Sequence, residues 1–565
     1  MTLAGSSAPG PNDLRSGPAP SAAAPVRLGP AAAGRCRRRV HLDADPGAQR
    51  SLRSTADDGL QLRLSDGTVH RDEVLAAFLT ALDVPGQQAP WNPSAGDRPA
   101  VVVGASLRSR TRYGAPDLLI RDGTGYQPVL IRSHRTTDPG AGAQLSGFDR
   151  PLEVRSDQTR KPRSHAADAL ALAHHYRLLE DLGLAGSRAA GGVIGRGVPG
   201  AGASGGDSGS ILWHHLDTAG ASVLADYDVR FADRLLVATA AAAGAPALAF
   251  PSRIGECRRC SWWPVCSAEL VSADDISLVA AGVDVDVLQK AGIRTVTDLA
   301  GSDRELVTAL PLTGSPSATA RVRARAWLAG HPLVRKQERV HVRRADLELD
   351  VDMESFLEDG AYLWGTYLTG PGMATLSLAP GYRGFVSWRP LPDRDEGRAF
   401  AEFWQYLSGL RSAAAEHGLT FAAYCYSRSA EERWLRSTPL RYPDVPGMPA
   451  PAEIAEFCAS PEWVDIYQEI RDQFVVPGSM KLKALAPVAG FSWRDAEPGG
   501  ENSMAWYRAA VADGDADDPA EPVDPGMARR ILQYNEDDVL ATLTLRQWMT
   551  DRAVEVPTVE ELDAD

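Results

Sequence analysis

Four of the six cysteines place the strongest constraint on how this chain can fold. Cys257, Cys260 and Cys266 fall in a Cys-x2-Cys-x5-Cys run, whereas Cys36 stands alone near the start of the chain. Three thiolates so close can wrap one metal centre, and Cys36 as the fourth ligand would tie the beginning of a domain to its end. Disulfides suit this uneven spacing poorly in a large intracellular chain. Cys425 and Cys458 stand apart from the group.

At 565 residues the chain exceeds one ordinary core, so two large domains and a small module between them are expected. With 59 basic and 73 acidic residues the net charge is −14, so any surface for a polyanion must be a local groove. Residues 1–34 are rich in Ala, Gly, Pro and Ser without a long apolar run, and read as a disordered tail rather than a signal peptide. Residues 235–250 are Ala-rich and interrupted by Gly244 and Pro246. They are shorter than the roughly 20 residues of a spanning helix and read as a buried one. A cytoplasmic protein with no membrane association is expected.

Residues 35–270 read as one α/β unit, with strand-like runs at 100–104, 117–121 and 128–132, a helix at 166–182, and the cysteines closing it. Residues 271–335 read as short helices. The glycine turns at Gly282 and Gly292 either hold phosphates on backbone amides, as helix-hairpin-helix modules do, or belong to a plain helical linker. From 336 to 555 the pattern is three strands (347–355, 361–367, 384–388), a helix (399–417), a strand (419–426) and, after an acidic loop at 513–524, a closing helix (527–549). Residues 556–565 read as a tail.

Within 347–355, Leu347, Leu349, Val351 and Met353 alternate with Glu348, Asp350, Asp352 and Glu354, so a strand places every acid on one face. Such a row is either a divalent-metal site or the solvated face of an edge strand. In the closing helix Tyr534 and Asp538 are four residues apart and share a face. A carboxylate there can complete a binuclear metal site, and a hydroxyl one turn earlier can orient an attacking water.

Asp352-Met353-Glu354 and Tyr534-x3-Asp538 resemble the first and last motifs of DEDD exonucleases, and the strand order resembles the opening of a ribonuclease H-like fold of the YprB type. The resemblance implies Mg²⁺ or Mn²⁺ on Asp352, Glu354 and Asp538, and 3′–5′ hydrolysis of DNA or RNA from a single-stranded end. It places the second motif at Glu431, where the family has aspartate, with Glu432 an equal reading and Asp465 a further acid. Lys481 and Lys483, followed by Phe491 and Trp493, are similar to the family segment that meets phosphate and a stacked base; a surface lysine pair beside core aromatics fits the same residues.

The cysteine arrangement resembles that of the iron–sulfur RecB-like nucleases, including CRISPR-associated members. It implies a PD-(D/E)XK-type domain clamped by a [4Fe-4S] cluster on Cys36, Cys257, Cys260 and Cys266, with zinc the alternative. His70 is a loose match to that family's histidine, and Gly114-Ala115-Pro116-Asp117 a good match to its aspartate. Leu130 then stands at the second acid's place, Arg132 at the lysine's, and Leu172 at the glutamine's before Tyr176. A leucine cannot ligate metal, so this site is expected to be inactive, with Arg132, His134 and Arg135 left as phosphate contacts. Residues 35–550 together are similar to the RecB-like nuclease family that fuses such a domain to a YprB-type exonuclease. The rival expectation is a non-catalytic nucleic-acid-binding or scaffold protein stapled by the four-Cys centre. No helicase-type phosphate loop is present, so ATP-driven unwinding would need a separate helicase partner.

Overall fold

The computed structural model describes residues 25–564, apart from 56–57, 83–86, 89–90, 92–95, 97, 197–208, 315, 497–498 and 512–521. The N-terminal body opens with α1 (Arg37–Ala44) and α2 (Asp58–Leu82). The eight strands of its large sheet are β1 (Gln87–Gln88), β2 (Val101–Val103), β3 (Leu118–Asp122), β4 (Gly125–Ile131), β5 (Ala143–Gly147), β6 (Arg155–Asp157), β7 (Ala190–Ile194) and β8 (Ser210–His215). They form one sheet in the order β1-β2-β3-β4-β7-β8-β5-β6. The β3–β4 pair is antiparallel, whereas β7 returns parallel to β4 after α3 (Ala166–Asp181). Strand β4 is buried at every position, because α3 lies across it and β7 on one side. Leu130 and Leu172 meet in the core of this layer. α4 (Val223–Ala242) packs on α1 and α3, and α5 (Trp263–Ser272) carries the last of the grouped cysteines.

Two expectations fail here. Residues 25–34 are not tail: the Leu28 amide donates to the Thr111 carbonyl at 2.9 Å, and Ala33 is fully buried in the core beside α3 and α4. Residues 1–24 lie outside the described residues. Nor is 235–250 one buried helix. α4 stops at Ala242, Gly244 follows in the left-handed region (φ +66°), and Leu236 and Phe250 are exposed. No helix among the described residues is long and apolar enough to cross a membrane.

The connecting module is α6 (Val283–Lys290), α7 (Val296–Gly301), α8 (Arg304–Ala309) and α9 (Ser317–Leu328), around its own small core of Leu288, Ile293, Val296, Leu299 and Val307. Its glycine turn has no amides to offer a phosphate. Those of Gly292 and Ile293 donate to the carbonyls of Gln289 and Leu288. Those of Arg294 and Thr295 donate to the Asp298 carboxylate, that of Val296 to the Asp274 carbonyl, and that of Thr297 to the Asp274 carboxylate. At the Gly292 turn two carboxylates thus stand where an anion would have to sit.

The C-terminal body begins with β9 (Leu347–Phe356), β10 (Gly360–Thr369) and β11 (Gly381–Val386), an antiparallel meander. After α10 (Arg394–Glu416), β12 (Phe421–Cys425) returns parallel to β9. α11 (Ser429–Arg441) and α12 (Pro451–Ala459) lead to β13 (Trp463–Asp465), parallel to β12. The sheet order is β11-β10-β9-β12-β13, so β9 is central and the edge-strand reading of its acids fails. The remaining helices are α13 (Ile466–Gln473), α14 (Leu482–Leu485), α15 (Gly500–Val511), α16 (Pro525–Asp551) and α17 (Val559–Ala564). Leu347, Leu349 and Val351 of β9 pack with Phe400, Phe403, Trp434 and Phe457 from α10 to α12, which leaves the acidic face to α16. α17 packs on α9, and Arg325 donates to the Leu562 carbonyl at 2.7 Å, so 556–564 is not a tail either. The two bodies meet where α2 packs on α15 and where Arg196 bridges Asp66 and Asp359.

Candidate active site

Strand β9 meets α16 twice along its length, with opposite results. At its start, Arg546 fills the space: its guanidinium lies 2.7 Å from both oxygens of Asp350 and 2.8 Å from Glu348, and it stacks 3.9 Å over the Tyr424 ring. Arg344 adds a second cation to Glu348 at 2.6 Å. This half of the acidic row is a buried ion cluster, saturated by protein. Two turns earlier on α16 the residue facing β9 is Asp538, and the sign reverses. Oxygen atoms of Asp352, Glu354 and Asp538 all lie within 4.8 Å of one another.

Several neutral donors hold these acids. Asn535 Nδ2 donates to Asp352 at 2.9 Å while its own Oδ1 accepts from the Tyr382 hydroxyl at 2.8 Å. Asn535 reaches Asp352 only because residue 365, paired with Asp352 across the β9–β10 ladder, is glycine: a Cβ there would stand 1.6 Å from Asn535 Oδ1. Ser503 of α15 donates to Glu354 at 2.6 Å, next to a register shift in the ladder between Glu354 and Ser355. Trp493 Nε1 donates to Asp538 at 2.6 Å. Lys483 is the cation at the site; its Nζ lies 2.6 Å from the Tyr534 hydroxyl, which in turn bonds Asp538.

Glu431 enters from the first turn of α11. It is buried, and its Oε2 has no hydrogen-bond partner. Its charge is felt at Asp352, together with those of Asp538 and Glu354. Glu432, one residue on, turns away to Arg428 and Arg436. Asp465 adds its charge to the burial that raises Glu431, but its oxygens are taken by backbone: it caps α13 through the Tyr467 and Gln468 amides and holds the turn before α11 through those of Ser427 and Arg428. Ser427 sits there at φ +71°, so Asp465 fixes a strained turn that aims Glu431. Lys481 is exposed at the start of α14 and has no described contact with the cluster.

The crowding leaves its mark on protonation. Burial first, and then the Asp538 charge, pushes Glu354 up to about 8. Burial also pushes Glu431 up to about 8. Loss of hydration, followed by the charges of Asp538, Glu354 and Glu431, holds Asp352 well above the ordinary carboxylate range, and burial raises Asp538. Acids so placed ionise together only when a cation joins them. The donor set is all oxygen, one carboxylate oxygen is orphaned, and the fit is to hard divalent ions.

In the N-terminal body Asp117 accepts from Arg71 at 2.5 Å and from the Ile131 amide at 2.8 Å. Arg132 is not a free phosphate contact, because its Nε donates to Asp168 at 2.7 Å and its Nη1 lies 4.0 Å from Asp117. His70 is half-buried on α2, its pKa lowered by burial and then by Arg196. Cys36, Cys257, Cys260 and Cys266 line one small cavity with Trp262 and Trp263. They are not clustered as tightly as the acids: no three of their sulfurs lie within 4.8 Å of one another. Burial pushes the Cys266 thiol up to about 11.

Ser503, Asn535, Tyr382 and Gly365 were not found from sequence. Asn535 lies inside the Tyr534–Asp538 motif and was within reach of a helical-face argument; Ser503 and Tyr382 come from elements whose approach to β9 no local pattern reveals.

The family model of the RNase H superfamily matches residues 432–550, from α11 through α16, taking in Lys483, Tyr534 and Asp538. No curated protein and no solved structure matches the chain. The C-terminal region therefore carries an RNase H-like domain.

Proposed function

We propose that this domain is a metal-dependent exonuclease, hydrolysing DNA or RNA from the 3′ end, with Asp352, Glu354, Glu431 and Asp538 as its metal-holding acids. One observation carries the reading: the carboxylates of Asp352, Glu354 and Asp538 converge within 4.8 Å, the charge of buried Glu431 is felt at Asp352, and among the described residues the cation beside them is Lys483. Without metal that repulsion is relieved by protonation, and divalent cations relieve it with the acids ionised. Divalent ions there would polarise a phosphodiester and acidify a bound water. Tyr534 donates toward Asp538 while Lys483 donates to the tyrosine oxygen, so the hydroxyl is fixed in direction beside the acids. Asn535, Ser503 and Trp493 each pin one carboxylate, which spares the site reorganisation when charge develops. The 3′ polarity rests on the DEDD resemblance of Asp352-Met353-Glu354 and Tyr534-x3-Asp538.

Labelled single- and double-stranded DNA and RNA, blocked at either end, test this with and without Mn²⁺. Degradation that a 3′ block stops, and that Asp352→Asn abolishes, is expected. Equal activity in Asp352→Asn overturns the site.

For the four cysteines the reading is an iron–sulfur centre. They reach one cavity from both ends of the N-terminal body. The reading rests on the resemblance of the Cys36 and Cys-x2-Cys-x5-Cys arrangement, and zinc on the same thiolates is its alternative. Iron and sulfide analysis of anaerobically purified protein should find iron; stoichiometric zinc without iron overturns it.

A further inference from the structure

The N-terminal body contains a second group of metal-ligating side chains, chemically unlike the first. His134 follows β4, His165 is the N-cap of α3, and Asp168 lies in the first turn of that helix. One ligand atom from each falls within 4.8 Å of the other two. We infer that His134, His165 and Asp168 form a binding site for one borderline divalent transition ion of the zinc type, separate from the acidic cluster and from the cysteines.

The donor set argues for this class of ion. Two imidazoles and one carboxylate suit zinc and its neighbours, whereas magnesium and calcium prefer oxygen throughout. The ligands are also held before any ion arrives. Asp168 is buried and bonds His134 Nε2 through Oδ2 at 2.8 Å. The two imidazole rings lie with centroids 3.9 Å apart. His165 Nε2 faces the Arg135 carbonyl at 3.3 Å, which leaves Nδ1 as the lone-pair nitrogen; a second hydrogen bond of this kind is the usual support of a metal-bound histidine. His214 of β8 stands close to Asp168 and His165, and burial lowers its pKa.

Arg132 opposes the ion, since its Nε donates to Asp168 Oδ1 at 2.7 Å. The same guanidinium already lies 4.0 Å from Asp117, so it has a second carboxylate to turn toward. A cation would displace the Nε2 proton of His134 and take over its bond to Asp168. Three protein ligands leave coordination positions for water or a phosphate oxygen, on the side where His134 is 34% exposed. Arg135, in the same loop, lies 3.6 Å from Glu358 at the turn between β9 and β10, so the site borders the seam between the two bodies.

Cobalt(II) reports on this site in the full-length protein, with millimolar Mg²⁺ present to occupy the acidic cluster. Binding is counted by equilibrium dialysis, and visible absorbance separates nitrogen and oxygen ligation from the near-ultraviolet charge transfer of thiolates. Wild type should bind one more equivalent than His134→Gln or His165→Asn, and Asp352→Asn should keep it. Both histidine variants should fold, since asparagine is a favoured N-cap and glutamine keeps a polar head at the exposed position. Equal cobalt stoichiometry in wild type and both histidine variants overturns the site, as does an extra equivalent that Asp352→Asn loses and His134→Gln retains.

Discussion

The two halves of β9 carry the same kinds of residue on the same face and end up in opposite states. Glu348 and Asp350 are fully buried against Arg546, which leaves them no need of a metal. Asp352 and Glu354 face Asp538, eight positions earlier on the same helix, and have neutral donors and Lys483 instead of a guanidinium. A row of acids on a strand is thus neither a metal site nor a structural feature in itself. What the facing helix presents at each turn decides, because inside a protein a like charge raises a carboxylate's proton affinity and an opposite charge abolishes its need for a cation.

The comparison is broken most severely by removing the charge that makes the second half reactive. Asp538→Asn should cost on the order of 10³-fold in nuclease turnover while the metal-free protein melts no lower than wild type, since a repelling charge has gone. Next in size, Arg546→Met should turn the first half into a copy of the second without its cations. Two buried acids lose their partner, and denaturant unfolding should report a loss of about 3–5 kcal/mol. Adding Glu348→Leu and Asp350→Leu should recover most of it, and no recovery would mean that Arg546 acts through something other than those acids. Gly365→Ala is subtler. Its new methyl must push Asn535 away from Asp352, and a displacement of about 1 Å at a reacting centre is worth roughly 100-fold in rate. Unchanged turnover would show that Asn535 does not position Asp352.

The smallest effect is the most diagnostic of the sign. Glu354 and Glu431 keep their protons in the metal-free fold up to about pH 8, whereas the unfolded chain releases them near the ordinary range of about 4.3. The fold therefore binds more protons across that window, and metal-free stability should fall as pH rises through it. Mn²⁺, which binds the ionised form, should raise the melting temperature by a few degrees at pH 8.5 and by much less at pH 5.5. An equal rise at both values would mean that the acids are already charged without metal.

Much of the C-terminal architecture was legible in the chain. Alternation at 347–355 made the strand and put its acids on one face, and the three strand runs read from 347 to 388 are the meander that the ladder pairings display. The Tyr534-x3-Asp538 spacing likewise put both residues on one helical face, and both are buried toward β9. In the linker two readings stayed open, and at the Gly292 turn Asp274 and Asp298 consume the amides that a phosphate would need. Leu130 and Leu172, which stand where the resemblance has an acid and a glutamine, pack into core.

By itself, then, the sequence determined element type and facing, because periodicity and spacing are properties of neighbours in the chain. Tertiary structure alone decided partnership. Arg546 against Asp350, Asn535 against Asp352 across 183 positions, and Asp465 under the Ser427 amide are contacts between elements that fold apart and then pack. The physical reason is that charge compensation acts over a few ångströms of space, and no local pattern carries that distance.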